Sequence, residues 1–175
     1  MFVCFDSFDW FMVKIKNKHR LKRKEIRELL DSIHEKIDAD FTSSTENFET
    51  GTVNEYDLIF IDDIPLFLSL GQDLFFTITG LLRTKQTKRY VVVDMGAIRF
   101  VTNGADVMAP GIVDADGSIQ KDDPVWICDE THRKPLAVGK ALMTGVEMKQ
   151  GTSGKAVKMI HYVGDDLWNQ TKELV

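Results

Sequence analysis

The sequence predicts an α+β protein, with a small N-terminal helix-on-antiparallel-sheet domain followed by a C-terminal β pseudo-barrel carrying one early helix. Three observations carry this reading. Apolar side chains recur at three and four between Lys22 and Ile37, whereas nearly all later apolar runs are short and punctuated by Gly, Pro, Asn or Asp. From Tyr90 to Ile112 a β-rich run changes to helical spacing at Gly96-Ala97, breaks at Asn103-Gly104 and turns again at Pro110-Gly111. A length of 175 residues at 43% hydrophobic is enough for one large or two small domains.

Taken in order, residues 13–17 read as a short edge strand in which lysines alternate with Val13 and Ile15. The helix follows from about Lys22 to Ile37, with Ile26, Leu29, Leu30, Ile33 and Ile37 forming one apolar stripe. Residues 38–52 are polar and Ser/Thr-rich and read as a loop. Three β-like runs come next, Tyr56 to Ile61, Pro65 to Leu70 and Leu74 to Ile78, the last two joined by a turn at Gly71-Gln72-Asp73. Thr79 or Gly80 opens a single helical turn through Arg83, and the basic run Arg83 to Arg89 reads as a connection. The domains are therefore expected at 1–84 and 85–175. In the second, the β-rich run from Tyr90 gives way to helical spacing at Gly96-Ala97, and strands are expected at Ile112–Ala115, Pro124–Asp129, Leu136–Met143 (with Gly139 as a bulge) and Gly154–Val163. A last helical turn, Asp165–Asn169, would pin Trp168 to the body.

Charge and composition exclude several classes. No stretch approaches the roughly 18 consecutive apolar residues of a membrane helix. The N-terminus lacks a basic leader and a cleavage site, so no secretory signal is expected. Residues 1–11 read as an upstream extension, Met12 offering a second start. Cys4 and Cys128 have no metal spacing, which fits a reduced, cytoplasmic setting. The net charge of −5 hides strong segmentation: seven basic side chains and no acid from Lys14 to Lys24, then twelve acids against Arg27 and Lys36 from Glu25 to Asp63. The basic run reads either as edge protection or as a cationic binding surface. Asp62-Asp63 and Asp122-Asp123 are adjacent carboxylates that point apart on a strand and read as turn residues, not metal ligands. No metal-ligand pair, phosphate-binding glycine loop or nucleophile elbow is present, so neither catalysis nor a cofactor is expected.

Five separated pieces, spanning nearly all of residues 90–170, together resemble a PUA domain. They are Asp94-x-Gly96-Ala97, Gly104-Ala105-Asp106-Val107-Met108-Ala109-Pro110-Gly111-Ile112, Ala137-Val138-Gly139-Lys140-Ala141, Gly154-Lys155-Ala156-Val157 and His161-Tyr162-x-Gly164-Asp165-x-x-Trp168. The first half resembles the domain that precedes PUA in archaeal relatives of the malignant-T-cell-amplified-sequence protein and ligatin. Lys18-His19-Arg20-Leu21, the strands between Asp57 and Phe67, and Thr77-Ile78-Thr79-Gly80-Leu81-Leu82 carry that likeness, with Phe76 where the pattern has proline.

The resemblance implies RNA binding in a groove between the first helix, its glycine loop and the last strand. Small residues at Gly104 and Ala105 would leave room for a base or ribose, and loop N–H groups near Val107, Pro110 and Gly111 could meet phosphate or a base edge. Arg99, Lys140, Lys155 and Lys158 would supply cations. Asp106 would accept from an amine or 2′-hydroxyl, or else stabilise its own turn. His161 would face the groove, or else be a structural histidine. The implied partners are rRNA or tRNA, with the small ribosomal subunit or the tRNA acceptor end as target in initiation or recycling, and translation factors as further partners. Three other readings stand beside this one: a protein-interaction adaptor using the same groove or the acidic first domain, a targeting subunit for tRNA or rRNA modification, and a small-molecule enzyme with a site between the domains.

Overall fold

The computed structural model describes residues 15–37, 47–84 and 86–172. The upstream extension, the Met12 start and Cys4 lie outside these residues. The N-terminal half is a five-stranded antiparallel sheet of β1 (Lys16–Arg20), β2 (Phe48–Val53), β3 (Tyr56–Ile61), β4 (Ile64–Leu70) and β5 (Asp73–Phe76), in that spatial order. Helix α1 (Arg23–Ile37) buries Ile33 and Ile37, with Ile26, Leu29 and Leu30 half-buried beside them, as its stripe requires.

The first strand is shifted three residues beyond the sequence expectation. Strand β2 lies where a loop was expected, because Phe48 and Val53 go inward while its hydroxyls stay half-exposed. That polar run also obscured the strand's pairing with both neighbours. Asp62 and Asp63 both adopt left-handed φ, of 50° and 65°, in the two-residue turn between β3 and β4. Helix α2 (Ile78–Arg83) starts at Thr77, whose hydroxyl accepts from Gly80 N at 2.8 Å and donates to Pro65 O at 2.6 Å.

The second half is a six-stranded sheet ordered β7–β11–β10–β9–β6–β8. Its strands are β6 (Tyr90–Val93), β7 (Val107–Met108), β8 (Ile112–Ala115), β9 (Pro124–Asp129), β10 (Pro135–Ala141) and β11 (Lys155–Tyr162). The pairing of β6 with β9 is parallel and the others are antiparallel. The two end strands, β7 and β8, are consecutive in the chain and joined by the 3-10 turn Ala109–Gly111, so the sheet curls until its edges lie one short turn apart. Helices α3 (Ile98–Val101), α4 (Gly145–Gln150) and α5 (Asp166–Thr171) complete this half. Helix α4 and strand β7 were not anticipated. The register shifts between Val138 and Gly139, where an added Cβ would sit 2.4 Å from Lys158 O.

The two halves share a core. Val138 and Leu167 belong to the same buried cluster as Phe67, Phe75 and Ile78, with Trp126, Ile160 and Trp168 packed against it. The Tyr56 hydroxyl donates to Ile160 O at 3.0 Å, and burial pushes its pKa up to about 12, keeping it a donor. The connection is pinned as well. Trp126 Nε1 donates to Lys88 O at 2.8 Å, and Arg89 N donates to Asp116 at 2.7 Å.

Candidate nucleic-acid interface

The site is built around the turn that follows β6. Asp94 closes that turn, its Oδ1 accepting from Ala97 N at 2.8 Å while its own N–H donates to Gly111 O at 3.0 Å. These bonds tie the start of α3 to the far end of the loop. With α3 only one turn long, Val101 enters the barrel core, and its neighbour Phe100 must point outward, 52% exposed.

Between α3 and the 105–111 loop lies an open groove of about 570 Å³. Its walls include Ala97, Val101, Ala105, Val107 and Pro110, and Gly111 approaches so closely that an added Cβ would sit 3.3 Å from Ala97 Cβ. Met95, Phe100 and Met108 are exposed, Phe100 and Met108 being part of the groove lining. Arg99 lines the groove and stacks its guanidinium 4.6 Å from the Phe100 ring centre. The groove is thus apolar with a cation-backed aromatic beside it, chemistry that suits an unstacked planar ring.

Arg99, Ala105, Asp106, Val107, Pro110 and Gly111 are brought together here. Asp106 is occupied by the protein itself: Oδ2 pairs with Lys155 Nζ at 2.9 Å and Oδ1 accepts from Met159 N at 3.0 Å. The Lys155 hydrogen bond and then the Met159 amide hold its carboxyl below the usual carboxylate range. Asp106 therefore anchors the loop to β11 and holds the exposed Lys155 ammonium in place. Lys158 is exposed on the same strand, near enough to act on Asp106.

Three expected residues lie elsewhere. Gly104, at φ 80°, faces Tyr162, and an added Cβ would fall 2.7 Å from that ring, so its small size serves packing behind the groove. Lys140 sits at the seam between the halves, 3.0 Å from Asp73 and 3.5 Å from Asp122. The bulge at Gly139 alters the facing along β10, which alternation alone could not reveal. His161 is fully buried, its Nδ1 2.7 Å from Asp165, and it cannot reach a ligand in the groove. The sequence reading missed Met95, Phe100 and Met108; an aromatic next to the inward Val101 on a one-turn helix was the available signal for Phe100.

Lys140 provides a first prediction. Lys140→Gln should cost about 1 kcal/mol, because the Asp73 and Asp122 carboxylates it leaves stay open to water, and should leave binding in the groove unchanged. Urea melts and a binding titration on the same sample check both parts.

A one-turn helix and a glycine-bounded loop set against the last strand of a nearly closed β barrel define a PUA-type domain. The PUA domain family matches residues 89–163, and a domain of unknown function, DUF1947, matches residues 17–84. The chain belongs to the PUA-domain family, in the branch where this second domain precedes the PUA domain.

Among its relatives, the uncharacterized protein MJ1432 of Methanocaldococcus jannaschii is 41% identical over 90% of this chain and 98% of its own. Translation machinery-associated protein 20 of Eremothecium gossypii is 29% identical over 90% of both chains. The crystal structure of hypothetical protein PH0734.1 from Pyrococcus horikoshii superposes with a TM-score of 0.78 at 35% identity, covering 88% of this chain and 99% of that one. A conserved PUA domain protein from Thermoplasma acidophilum gives 0.74 at 28% identity, covering 89% and 99%. Among the described residues, no helix is long and apolar enough to cross a membrane.

Proposed function

We propose that this chain is a non-catalytic RNA-binding protein of the translation machinery, acting on the small ribosomal subunit or the tRNA acceptor end in initiation or recycling. The observation that carries the reading is the groove: an open apolar slot of about 570 Å³ with Arg99 in its lining and Lys155 held beside it by Asp106. Cations set beside an apolar, aromatic-edged slot match a ligand with a charged backbone and planar bases. The name of the Eremothecium relative supports a setting in translation.

A titration with an unpaired RNA oligonucleotide across salt tests it. Affinity should fall steeply with salt, and Lys155→Ala with Lys158→Ala should lower the log–log slope by about 1.4, roughly 0.7 for each lost phosphate contact. An unchanged slope and affinity would remove β11 from the RNA face. The exposed side chains of Met95, Phe100 and Met108 favour a second reading, a protein partner seated on the same rim. In that case RNA would bind no more tightly than to an unrelated acidic protein, and a Phe100→Ala variant would lose the protein partner instead.

A further inference from the structure

We propose that the N-terminal domain carries a separate RNA-binding surface of its own, made by β1 and the first turns of α1, which takes the phosphate backbone of a duplex. It rests on the reading of the chain as an RNA-binding protein. Between Lys16 and Lys24 the chain has six Lys or Arg and no acid, in a protein whose net charge is −5. All five residues of β1 are exposed, as are Lys22, Arg23, Lys24 and Arg27 on the adjoining segment. The cations thus follow one another along the chain from the exposed sheet edge into the first turns of the helix.

The neighbours of the strip show which charges are available. Lys18 is committed to Glu49 at 2.8 Å and Asp63 at 2.9 Å, and the hydrogen bond it donates to Glu49, then the one it donates to Asp63, raises its pKa. Glu25 is engaged by the backbone N–H of Lys22 at 2.6 Å, which fixes the entry into α1. Lys24 lies 3.8 Å from Glu28, a loose and exposed pair. Among the described residues, no ion pair engages the side chains of Lys16, Lys22 or Arg27, and these three are the principal ligands.

Two features select the occupant. The edge strand is guarded against addition of a partner strand: Asn17 adopts φ 53°, the register shifts between Lys16 and His19, and lysines line the edge. A peptide extending the sheet is therefore disfavoured, whereas point cations need only meet phosphates. Residues 16–27 contain no Phe, Tyr or Trp, and their one aromatic ring, the exposed His19 imidazole, is tied to Asn17 O at 2.8 Å, so the strip lacks the successive stacking platforms of a single-strand site. A strip of cations without such platforms reads backbone charge and is indifferent to sequence, which is the recognition a duplex offers.

The test uses the full chain with Lys16→Gln, Lys22→Gln and Arg27→Gln combined, against two probes, a blunt RNA hairpin and an unpaired RNA oligonucleotide. All three positions are exposed, and Lys18 is left intact to hold its carboxylates. Affinity for the hairpin should fall at least about tenfold and its salt slope by roughly 2 to 3, while the unpaired oligonucleotide is unaffected. Unchanged hairpin affinity and slope, with the oligonucleotide still bound and still weakened by the β11 double variant, would overturn this surface and leave the groove reading standing. If neither probe binds the wild type, both readings fall together. Should polyglutamate displace the hairpin at equal charge concentration, the strip is a docking face for acidic protein, and the proposal is wrong.

Discussion

Gly80→Ala should leave little folded protein at temperatures where the wild type is native. An added Cβ would lie 2.1 Å from Leu66 O and 2.9 Å from Leu66 C, and Gly80 is itself buried. Leu66 cannot retreat, because it belongs to β4, held between β3 and β5, and its carbonyl also accepts from Thr77 N at 3.0 Å. Relief requires α2 to lift away. The helix would then withdraw Ile78 and Leu81 from the shared cluster and Thr79 from its hydroxyl contact with Thr171 at 3.4 Å. Overpacking alone costs about 1–3 kcal/mol, and a backbone clash with no flexible side chain to yield puts this case at about 3 kcal/mol or more. Leu82→Ala, an exposed change on the same helix, should stay within about 0.5 kcal/mol. Equilibrium urea denaturation of the pair checks the prediction; near-equal midpoints would refute it.

The second large effect is expected at Asp165. Its carboxylate faces His161 Nδ1 at 2.7 Å, accepts from Tyr162 N at 3.0 Å and caps α5 through Trp168 N at 2.7 Å. Asp165→Ala strips the fully buried imidazole of this partner, while His161 Nε2 already has no hydrogen-bond partner among the described residues. It removes the helix cap in the same step. Together these should cost about 3 kcal/mol or more, lowering Tm by roughly 6–12 °C in a chain of this size. Asp165→Asn, which keeps an acceptor for Trp168, should lose less.

The effect depends on pH with a definite sign. Burial pushes the Asp165 carboxyl up, but the His161 hydrogen bond and charge, then the Trp168 and Tyr162 amides, outweigh it and hold the folded value below the usual carboxylate range. A depressed folded pKa contributes stability that is complete above the unfolded value and lost as pH falls through the folded one. The gap between wild type and Asp165→Asn should therefore be widest near neutrality and close in acid. A gap that stays constant from neutral to strongly acidic pH would show the charge to be immaterial.

Much of this architecture is legible in the residues, and the exceptions have particular causes. The α1 stripe, the β3 and β4 runs and the Gly139 bulge follow from periodicity and from one small residue where two strands cross closely. Strand β2 was hidden because its Glu, Thr and Gly residues resemble a loop, and its membership of the sheet depends on β1 and β3 arriving from both sides. Helix α4 was overlooked although its signal is present: Thr144 and Glu147 form a reciprocal capping box at 3.3 Å and 2.8 Å. For the groove, small residues and turn glycines marked the loop, but they could not say which faces would be used. Lys140 and His161 were assigned from their places on strands beside the loop, and a place on a strand does not say whether the side chain faces the groove, the seam or the core. Asp106 shows a further limit, since its partner at Met159 is 53 positions away and no local pattern encodes that bond.

The common core of the two halves has a consequence for how the molecule came to be, and for how it can be taken apart. A fragment starting after Arg89 would present Val138, Leu167 and Trp168 to solvent, and one ending there would bare Phe75, Phe76 and Ile78. Neither piece is a free-standing bead on a string. Substitutions on the outer faces of either half are free to accumulate, whereas those along the seam have to be matched from the other side.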